Sequence, residues 1–433
     1  MKRFKTKYTF RVSFIALFFM IIGCGKDFTD PTRVPEDAVF GTLQGLTGAV
    51  VGLQRDYTAQ RTSSLYNSVT SNGFTTKELF LVNPGNLPEA QLNTGGIAVD
   101  GTNTILSGMW SNSNKIIYDA NKVIEGAQLQ SDKNYASGLI AYATIFKALA
   151  LGNMSQSWEQ VPNGIGVNVG FMARKDGFSA AITAIDQALA AINANPISTT
   201  FMANIPPGID IVNTLNALKA RYAMASGNND LALAAANAVD LTKKSTFNFD
   251  ATTQNPIFET ATSSNNVYQP VDSTLGLKVP LQPDLTDKRV PFYTSINPTI
   301  APRFRIKGFG ETLNTPFPVY LPGEITLIKA EAYARKNDLT NGLIELNKIL
   351  TKTAATDPFG LGANLPALAS VATQQELLDQ IYKNRCIELY MSGLKLEDMR
   401  RFNRPNSERG RNFYPYPLVE RDNNTNTPDD PGF

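Results

Sequence analysis

The sequence predicts a mainly α-helical fold in which helical hairpins alternate with long loop-rich excursions and few short strands. Apolar residues recur every three or four positions in several segments, which is the spacing of an amphipathic helix. Residues 217–239 and 327–349 share a Lys-Ala pair, a tyrosine, an Asn-Asp turn and a second helix. Small residues at helix crossings, with a short turn between the helices, are typical of tetratricopeptide-like hairpins. Residues 141–153 resemble a third, degenerate copy of the first half.

The first 24 residues predict an exported, lipid-anchored chain. A basic segment, MKRFKTKYTFR, precedes an apolar run, VSFIALFFMII, that is shorter than the about 20 residues needed to span a bilayer. The run leads to Gly23-Cys24, and a small residue before a cysteine is typical of bacterial lipoprotein signals. We expect residues 1–23 to be a signal peptide and Cys24 to carry the lipid. An ordinary secretory signal with a chance cysteine is the alternative.

The N-terminal half of the mature chain shows two clear helical patterns. One begins at Pro35, which suits a first helical position, and its apolar stripe is Val39, Leu43, Leu46, Val50 and Leu53. The other covers residues 179–192, with Ile182, Ile185, Leu189 and Ile192 on one face.

The C-terminal half contains a predicted hairpin and two further helices. Residues 324–336 and 340–352 flank the turn sequence KNDLTNG. Thr373 and Glu376 have the spacing of a capping box, which predicts a helix start, and Gly393 is placed to end that helix. Leu396, Met399 and Phe402 predict one more short helix before Pro405.

Polar stretches separate these helices without a clean linker between two domains. Segments rich in Gly, Pro, Asn, Ser and Thr cover about 62–108 and 244–322, with shorter ones at 152–175, 195–208 and 403–433. Loops of this length in a compact chain are usually functional or disordered. We therefore expect one domain over residues 24–433, with loop-rich insertions at about 62–108 and 244–322.

Composition excludes several classes of function. The chain has no histidine, which excludes Ser-His-Asp catalysis and His-ligated metal sites. Five of the 40 basic residues and none of the 38 acidic residues lie in residues 1–23, so the mature chain carries 35 against 38. A near-neutral chain argues against nucleic acid as a partner. We expect no cofactor and no metal, and a buried, inert thiol at Cys386.

Six segments in order resemble the SusD/RagB family of Bacteroidetes surface lipoproteins, over nearly the whole mature chain. They are CGKDFTDP, WSNSNKIIYDANKVIEG with Trp110, Tyr118 and Asn121, AYATIFKALALGNMSQSWEQVP, LPGEITLIKAEAYAR, IYKNRCIELYMSGLKLEDMRRFNR, and YPYPLVE with the closing DPGF. In the fifth segment Arg385, Glu388, Gly393, Asp398 and Arg401 match the family pattern, whereas Asn384 and Ser392 stand where it has glutamates.

The resemblance implies a fold of four tetratricopeptide-like hairpins, a SusD-like α/α superhelix, with loop-rich flanks. It implies a lipid-anchored binding protein on the outer membrane, facing the cell exterior, that caps a TonB-dependent transporter of the SusC type. The family mostly captures oligosaccharides, although some members handle peptides, and the resemblance implies no catalysis. A protein-binding scaffold without a small ligand is the rival hypothesis, and a carboxylate hydrolase is a third.

Most of the motif residues have a structural interpretation. Arg385, Glu388, Asp398 and Arg401 have the spacing of ion pairs that lock helices together, with a charged active site as the alternative. We expect Trp110 and Tyr118 in the core rather than on a ligand platform.

Sugar binding requires aromatic faces together with polar side chains for the hydroxyl groups. The polar segments offer such candidates, and each of them has the alternative role of fixing its own loop to the scaffold. The ligand-binding candidates are Phe74, Phe80, Trp158, Tyr268, Tyr293 and Arg303.

Two acidic patterns complete the set. Residues 422–430, DNNTNTPDD, begin like a calcium loop but lack its turn glycine and its final glutamate, so we interpret them as a polar surface tail. Asp284 and Asp287 have the types needed for a general acid and base, although acids this close are common in loops.

Overall fold

The structure, a computed structural model, describes residues 35–299 and 301–433. The signal peptide predicted over residues 1–23 and the lipidation predicted at Cys24 lie outside the described residues. The α-helices are α1 (Glu36–Phe40), α2 (Leu43–Thr58), α3 (Ser64–Thr75), α4 (Leu87–Thr94), α5 (Thr104–Gln128), α6 (Lys133–Ser157), α7 (Arg174–Ala194), α8 (Thr199–Ala203), α9 (Ile211–Ser226), α10 (Asn229–Asn237), α11 (Arg289–Tyr293), α12 (Pro322–Arg335), α13 (Leu339–Thr351), α14 (Gln374–Glu388), α15 (Lys395–Arg401) and α16 (Leu418–Asn423). The strands are β1 (Leu79–Leu81), β2 (Gln160–Pro162), β3 (Phe171–Ala173), β4 (Thr246–Phe247), β5 (Tyr268–Pro270), β6 (Thr294–Ile296), β7 (Phe304–Ile306) and β8 (Phe317–Pro318).

The helices form a row of hairpins, and the prediction of a mainly α-helical fold is confirmed. Helices α5, α6 and α7 pack in sequence order, α9 packs on α7, and α9–α10 and α12–α13 are hairpins whose members lie side by side. The last two hairpins contain the two similar sequence segments, and α10 packs against α12 to join them. Helix α14 closes the row against α12 and α13, where its Leu377 and Ile381 share a separate apolar cluster with Leu327 and Leu346.

The pattern that begins at Pro35 forms two helices rather than one. The chain breaks at Gly41 and Thr42, between α1 and α2. Thr42 has extended backbone angles, and its side chain accepts a hydrogen bond from the Gly45 amide at 3.1 Å. A threonine that caps a new helix in this way satisfies an amide that would otherwise lack a partner. The apolar stripe therefore continues across the break, with Leu46, Val50 and Leu53 buried.

Small residues allow α6 to lie in the middle of the scaffold. A Cβ atom added at Gly138 would collide with the Phe201 ring, and one added at Gly152 would collide with the Tyr222 ring of α9. Among the described helices, α6 alone has the length and apolar composition to cross a membrane, but it is largely buried among its neighbours. We assign α6 to the core, because a central helix is apolar on all its faces.

Helix α14 begins at a threonine cap and ends at Glu388, before the turn that contains Gly393. The Thr373 hydroxyl accepts from the Glu376 amide at 3.1 Å, whereas the Glu376 carboxylate accepts from the Ala372 amide rather than from Thr373. Half of the predicted capping box is therefore present. Gly393 lies in the turn to α15 with a φ of +81°, and a Cβ there would meet the Ser68 hydroxyl. Both the backbone angle and the close approach require glycine.

The two polar insertions differ in structure, and the structure corrects the expectation for the first. Residues 62–108 contain the complete helices α3 and α4, and α3 is almost wholly buried although it is rich in Ser, Thr and Asn. Residues 244–322 are irregular, with short antiparallel strand pairs. Strand β1 pairs with β5, so the two insertions meet in one small sheet. The polar side chains of α3 are hydrogen-bonded internally, which composition does not reveal.

Glu78 lies just before β1, buried between the first insertion and the C-terminal helices. Burial raises the pKa of its carboxyl group to about 7, and Lys395 offsets part of this effect from 3.9 Å. Between pH 4.5 and 7 the folded protein thus holds a proton that the unfolded chain has released, so stability falls as pH rises through that window.

We expect Glu78→Gln to flatten this pH dependence and to raise stability above pH 7, because a neutral amide needs no proton to remain buried. Urea unfolding at a series of pH values measures the slope. The exposed Glu311→Gln is the control, and an unchanged slope in the Glu78 variant would contradict the assignment.

Candidate ligand-binding site

Four of the six predicted ligand contacts lie in the core. Phe74, Trp158 and Tyr268 are fully buried, and Tyr293 is 3% exposed. The Tyr268 hydroxyl lies 3.2 Å from that of Thr70, and the Tyr293 hydroxyl donates to the Glu388 carbonyl at 2.6 Å. Their rings offer no face to solvent, so the structure corrects the expectation of a ligand platform at these positions and places them as supports of their loops.

Trp158 shows how complete this burial is. Its indole nitrogen donates to the Pro415 carbonyl at 3.0 Å, and its ring meets that of Trp110 edge to face at 4.8 Å. Tyr414 packs on its other side at 6.2 Å. This aromatic cluster joins the end of α6 to the C-terminal segment.

Phe80 and Arg303 are the two predicted contacts that face solvent. Phe80 lies in β1 and is 45% exposed, and Arg303 lies just before β7. Gln269 of β5 pairs with Phe80 and accepts from the Ile306 amide of β7 at 2.9 Å, so the two loops share one support. Both residues remain candidates for contact with a ligand.

A groove between α5 and the loop over residues 163–170 combines an open cavity with polar and apolar side chains, as a binding site requires. It consists of two adjoining cavities of about 270 and 200 Å³, which share Asn114, Pro162, Gly164 and Ile165 in their walls. Helix α5 forms its base, and the loop over residues 163–170 forms one wall. This loop connects β2 to β3, which pair in antiparallel register with Val161 opposite Met172.

One face of α5 supplies the chemistry of the groove. Trp110, Asn114, Ile117 and Asn121 are spaced by four, three and four residues, so they align on one helix face. The Asn114 amide donates to the Trp110 carbonyl at 3.2 Å. Amide groups that can donate and accept thus alternate with apolar surface, which is the arrangement that binds a hydroxylated or amide-bearing ligand.

The groove also contains one cation, one carboxylate from Glu420 and several apolar side chains. Lys147 of α6 lines the inner cavity, and burial lowers the pKa of its ammonium group. On the loop, Ile165 and Val167 are 41% and 87% exposed. Exposed apolar side chains beside a cleft are typical of surfaces that contact another molecule.

The C-terminal tail holds the groove loop in place. The Asn424 amide donates to the Val169 carbonyl at 3.1 Å, and the Asn426 amide donates to the Asn168 carbonyl at 2.7 Å. These are residues of the calcium-like sequence DNNTNTPDD, and they act as hydrogen-bonding groups between two loops. Within the described residues, no group of three or more acidic, cysteine or histidine side chains is placed to hold a metal ion.

Tyr118 differs from its predicted position in the core. It is 37% exposed, and its hydroxyl donates to Glu36 of α1 at 3.1 Å. Lys122 lies over its ring at 5.6 Å. Tyr118 therefore occupies a different face of α5 from Trp110, since eight residues advance a helix by slightly more than two turns.

The charged motif residues all form ion pairs inside the fold. The Nε and Nη2 atoms of Arg385 donate to the Asp398 carboxylate at 2.9 and 3.0 Å. Arg401 donates to the same carboxylate at 2.6 Å. Glu388 accepts from Arg289 at 3.2 Å, and Asn384 accepts from the same guanidinium at 2.8 Å. The side-chain oxygen of Asn384 thus accepts a hydrogen bond from Arg289, as a carboxylate at this position would.

The remaining reactive groups also have structural partners. Asp287 is buried and ion-paired with Arg289 at 2.7 Å, whereas Asp284 is exposed and accepts from Thr286, so the two acids do not face one another as an acid and base. Burial raises the pKa of the Cys386 thiol to about 12, which makes it a poor nucleophile.

Sequence comparison finds a family match in the C-terminal part of the chain. Residues 307–430 match the family model SusD_RagB, described as the SusD family. The C-terminal part of the chain thus resembles the SusD family. No curated protein sequence matches this chain significantly.

Solved structures share the fold of this chain. A SusD superfamily protein from Bacteroides thetaiotaomicron matches with a TM-score of 0.70 and 15% identity, over 90% of this chain and 100% of that chain. A SusD-like carbohydrate binding protein from Bacteroides vulgatus matches with a TM-score of 0.66 and 13% identity, over 83% of each chain. NanU of B. fragilis matches with a TM-score of 0.65 and 12% identity, over 94% of this chain and 100% of that chain.

The groove is the part of the site that the sequence interpretation missed, although a signal for it was present. Asn114, Ile117 and Asn121 follow Trp110 at helical spacing within a motif that was assigned to structure alone. Asn163 and Ile165 had no comparable signal, because their position depends on the pairing of β2 with β3.

Proposed function

We propose that this protein is a cell-surface lipoprotein that captures an oligosaccharide and delivers it to a SusC-like TonB-dependent transporter in the outer membrane. The observation that carries the proposal is the groove of amide and apolar side chains along one face of α5. Its two cavities together fall in the about 300–1,000 Å³ range of small-molecule sites.

The chemistry of the groove suits a sugar. Each side-chain amide offers both a donor and an acceptor, so Asn114, Asn121 and Asn163 match hydroxyl groups that also do both. Ile165, which is 41% exposed, offers apolar surface to the C–H face of a pyranose ring. A solved relative of the same fold is described as a SusD-like carbohydrate binding protein, which supports this ligand class.

The proposed location rests on the N-terminal sequence. A basic segment, a short apolar run and Gly23-Cys24 support export and lipidation at Cys24. Lipid at the chain start would hold the helical body at the outer membrane, facing the cell exterior, beside the transporter that receives the ligand.

We propose binding without catalysis. The sequence contains no histidine, and the candidate acid pair is divided between the surface and a buried ion pair. The Cys386 thiol is enclosed by the core. These observations leave the groove as a site that holds its ligand through hydrogen bonds and apolar contact.

Asn114 and Asn121 should account for much of the affinity for the ligand. We expect the Asn114→Ala/Asn121→Ala double variant to bind about 10- to 30-fold more weakly, because each lost hydrogen bond costs about 1 kcal/mol. Calorimetric titration of the detergent-purified full chain against a panel of oligosaccharides and peptides measures this. Tyr118→Ala is the matched control, since Tyr118 lies on the same helix but on another face.

The same titration separates the alternatives. Tighter binding of peptides than of any oligosaccharide would assign the groove to peptide capture, which its amides could also serve. Binding to neither class, together with tight co-purification of a transporter, would favour a protein-binding scaffold. Turnover of any panel member would overturn the proposal of binding without catalysis.

A further inference from the structure

A second cleft, of about 490 Å³, opens between the helical hairpins and is rich in cationic side chains. The start of α7, the turn between α9 and α10, the end of α12, the start of α14 and the end of α15 form its walls. Five basic residues line it: Arg174, Lys175, Arg335, Arg400 and Arg401. None of them belongs to the amide groove.

Buried carboxylates neutralise only part of this charge. Glu397 accepts from both Arg174 and Arg400, at 2.9 and 2.8 Å. Glu331 and Asp398 are shared among Arg335, Arg401 and the buried Arg385.

The five basic residues of the cleft and the buried Arg385 carry six positive charges, and the three carboxylates carry three negative charges. The cluster therefore has an excess of three positive charges. Burial, reinforced by the neighbouring Arg174, lowers the pKa of Arg400 even though Glu397 favours its charged form. By contrast, burial at Arg401 is outweighed by Glu331 and Asp398, which raise its pKa.

Several polar groups at the cleft lack partners within the described part of the chain. The exposed Lys175 ammonium has no hydrogen bond or ion pair there. The Asn229 side-chain oxygen is buried in the wall without a donor. Behind the cleft, a small cavity that shares Met224 and Arg401 with it contains the Arg385 Nη1 atom, which is also buried without an acceptor. A buried polar group without a partner is costly, so the Asn229 oxygen and the Arg385 Nη1 atom favour a polar molecule beside them, whereas the exposed Lys175 ammonium is free to pair with an anion.

The backbone adds to the positive potential. The first residues of three helices, α7, α10 and α14, line the cleft as Arg174, Asn229 and Gln374. Helix N-termini carry partial positive charge and favour anions.

We propose that this cleft is a second binding site, for an anionic saccharide whose carboxylate or sulfate group lies among Lys175, Arg335 and Arg401. The unpartnered Asn229 oxygen would accept a hydrogen bond from a sugar hydroxyl. Arg335 and Arg401 each use two side-chain nitrogens within the protein, which leaves Nη1 of Arg335 and Nε of Arg401 as donors to such an anion. This site would function independently of the amide groove, and its existence does not require a ligand in that groove.

Calorimetry with the detergent-purified full chain tests the proposal. The probes are digalacturonate, its uncharged methyl ester, a sulfated disaccharide and inorganic sulfate. We expect binding of digalacturonate or of the sulfated disaccharide, weakening as NaCl rises from about 0.05 to 1 M, and about tenfold weaker binding by Lys175→Glu. Asn229→Ala should weaken binding of the saccharide without affecting inorganic sulfate.

Two control variants locate the effect. Lys336→Glu makes the same change of charge on the nearby surface, where Lys336 pairs with Asp230, and should retain binding. The Asn114→Ala/Asn121→Ala variant should also retain it, which separates this site from the groove. The proposal would be overturned if the methyl ester bound as tightly as digalacturonate, or if the Lys336 variant lost as much affinity as the Lys175 variant. It would also be overturned if inorganic sulfate bound as tightly as both saccharides, or if neither anionic saccharide bound.

Discussion

Replacement of Trp158 by Ala should lower the free energy of unfolding by about 3–5 kcal/mol, the usual cost of deleting a fully buried aromatic side chain. The change would remove the edge-to-face contact with Trp110 and leave the Pro415 carbonyl without its indole donor. It would also create a cavity between α6 and the C-terminal segment. Urea unfolding followed by circular dichroism measures the loss.

Phe80→Ala is the matched control for this experiment. Phe80 was predicted as a ligand contact on the same grounds as Trp158, but it is exposed, so its removal should change stability by less than about 0.5 kcal/mol. A Trp158 variant that keeps its stability but loses oligosaccharide binding would contradict the core position. Loss of binding by the Phe80 variant would extend the ligand site to the β1 sheet.

Asp398→Asn should destabilise the protein by about 3–5 kcal/mol, because it removes the acceptor that two buried guanidinium groups share. Arg385 would retain only Glu331, at 4.0 Å. The neutral amide cannot balance the charge of the two guanidinium groups, and its NH₂ group would face their N–H donors. Chemical unfolding at neutral pH measures the effect.

The pH dependence gives this prediction a second readout. Burial raises the pKa of Asp398, but Arg385 and Arg401 outweigh this effect and hold the pKa below its usual value of 3.8. A depressed folded-state pKa stabilises the protein above the unfolded-state pKa, and the contribution is lost as pH falls through the folded-state pKa. Asp398→Asn should therefore flatten the acid limb of the stability curve.

Asp379→Asn on the preceding helix provides the control for Asp398. Its carboxylate accepts from Gln375 on the partly exposed face of α14, so its loss should cost less than about 1 kcal/mol. Equal effects of the two variants would show that the buried triad contributes no more than a surface carboxylate.

Much of the scaffold could be predicted because helical hairpins are specified locally. The turns after Ser226 and Arg335 carry Asn-Asp pairs, and the flanking segments show a regular apolar stripe. The predictions of helix bounds and burial were wrong where one local sequence pattern is compatible with two structures. Thr42 caps a new helix within one continuous stripe, and the polar α3 is buried because its side chains find partners inside the fold.

The candidate site was harder to predict than the scaffold. Aromatic residues in polar segments were interpreted as ligand contacts, but Tyr268 and Tyr293 fill the space beneath their loops. The side chains that face open cavities are instead amides on α5 and cations on α6, α7, α12 and α15. An amide or an arginine has the same sequence signature whether it lies at a groove, in an ion pair or in solvent.

The sequence by itself determined the helical class, the hairpin repeats, the absence of histidine chemistry and the family resemblance, since each depends on spacing or composition along the chain. It also provides the only basis for the lipid anchor at Cys24. Tertiary structure alone decided which polar residues meet. The groove requires the β2–β3 loop to cross α5, and the basic cleft requires five helix ends to converge on carboxylates that neutralise only part of their charge. Such convergence depends on contacts between residues far apart in sequence, which no local pattern records.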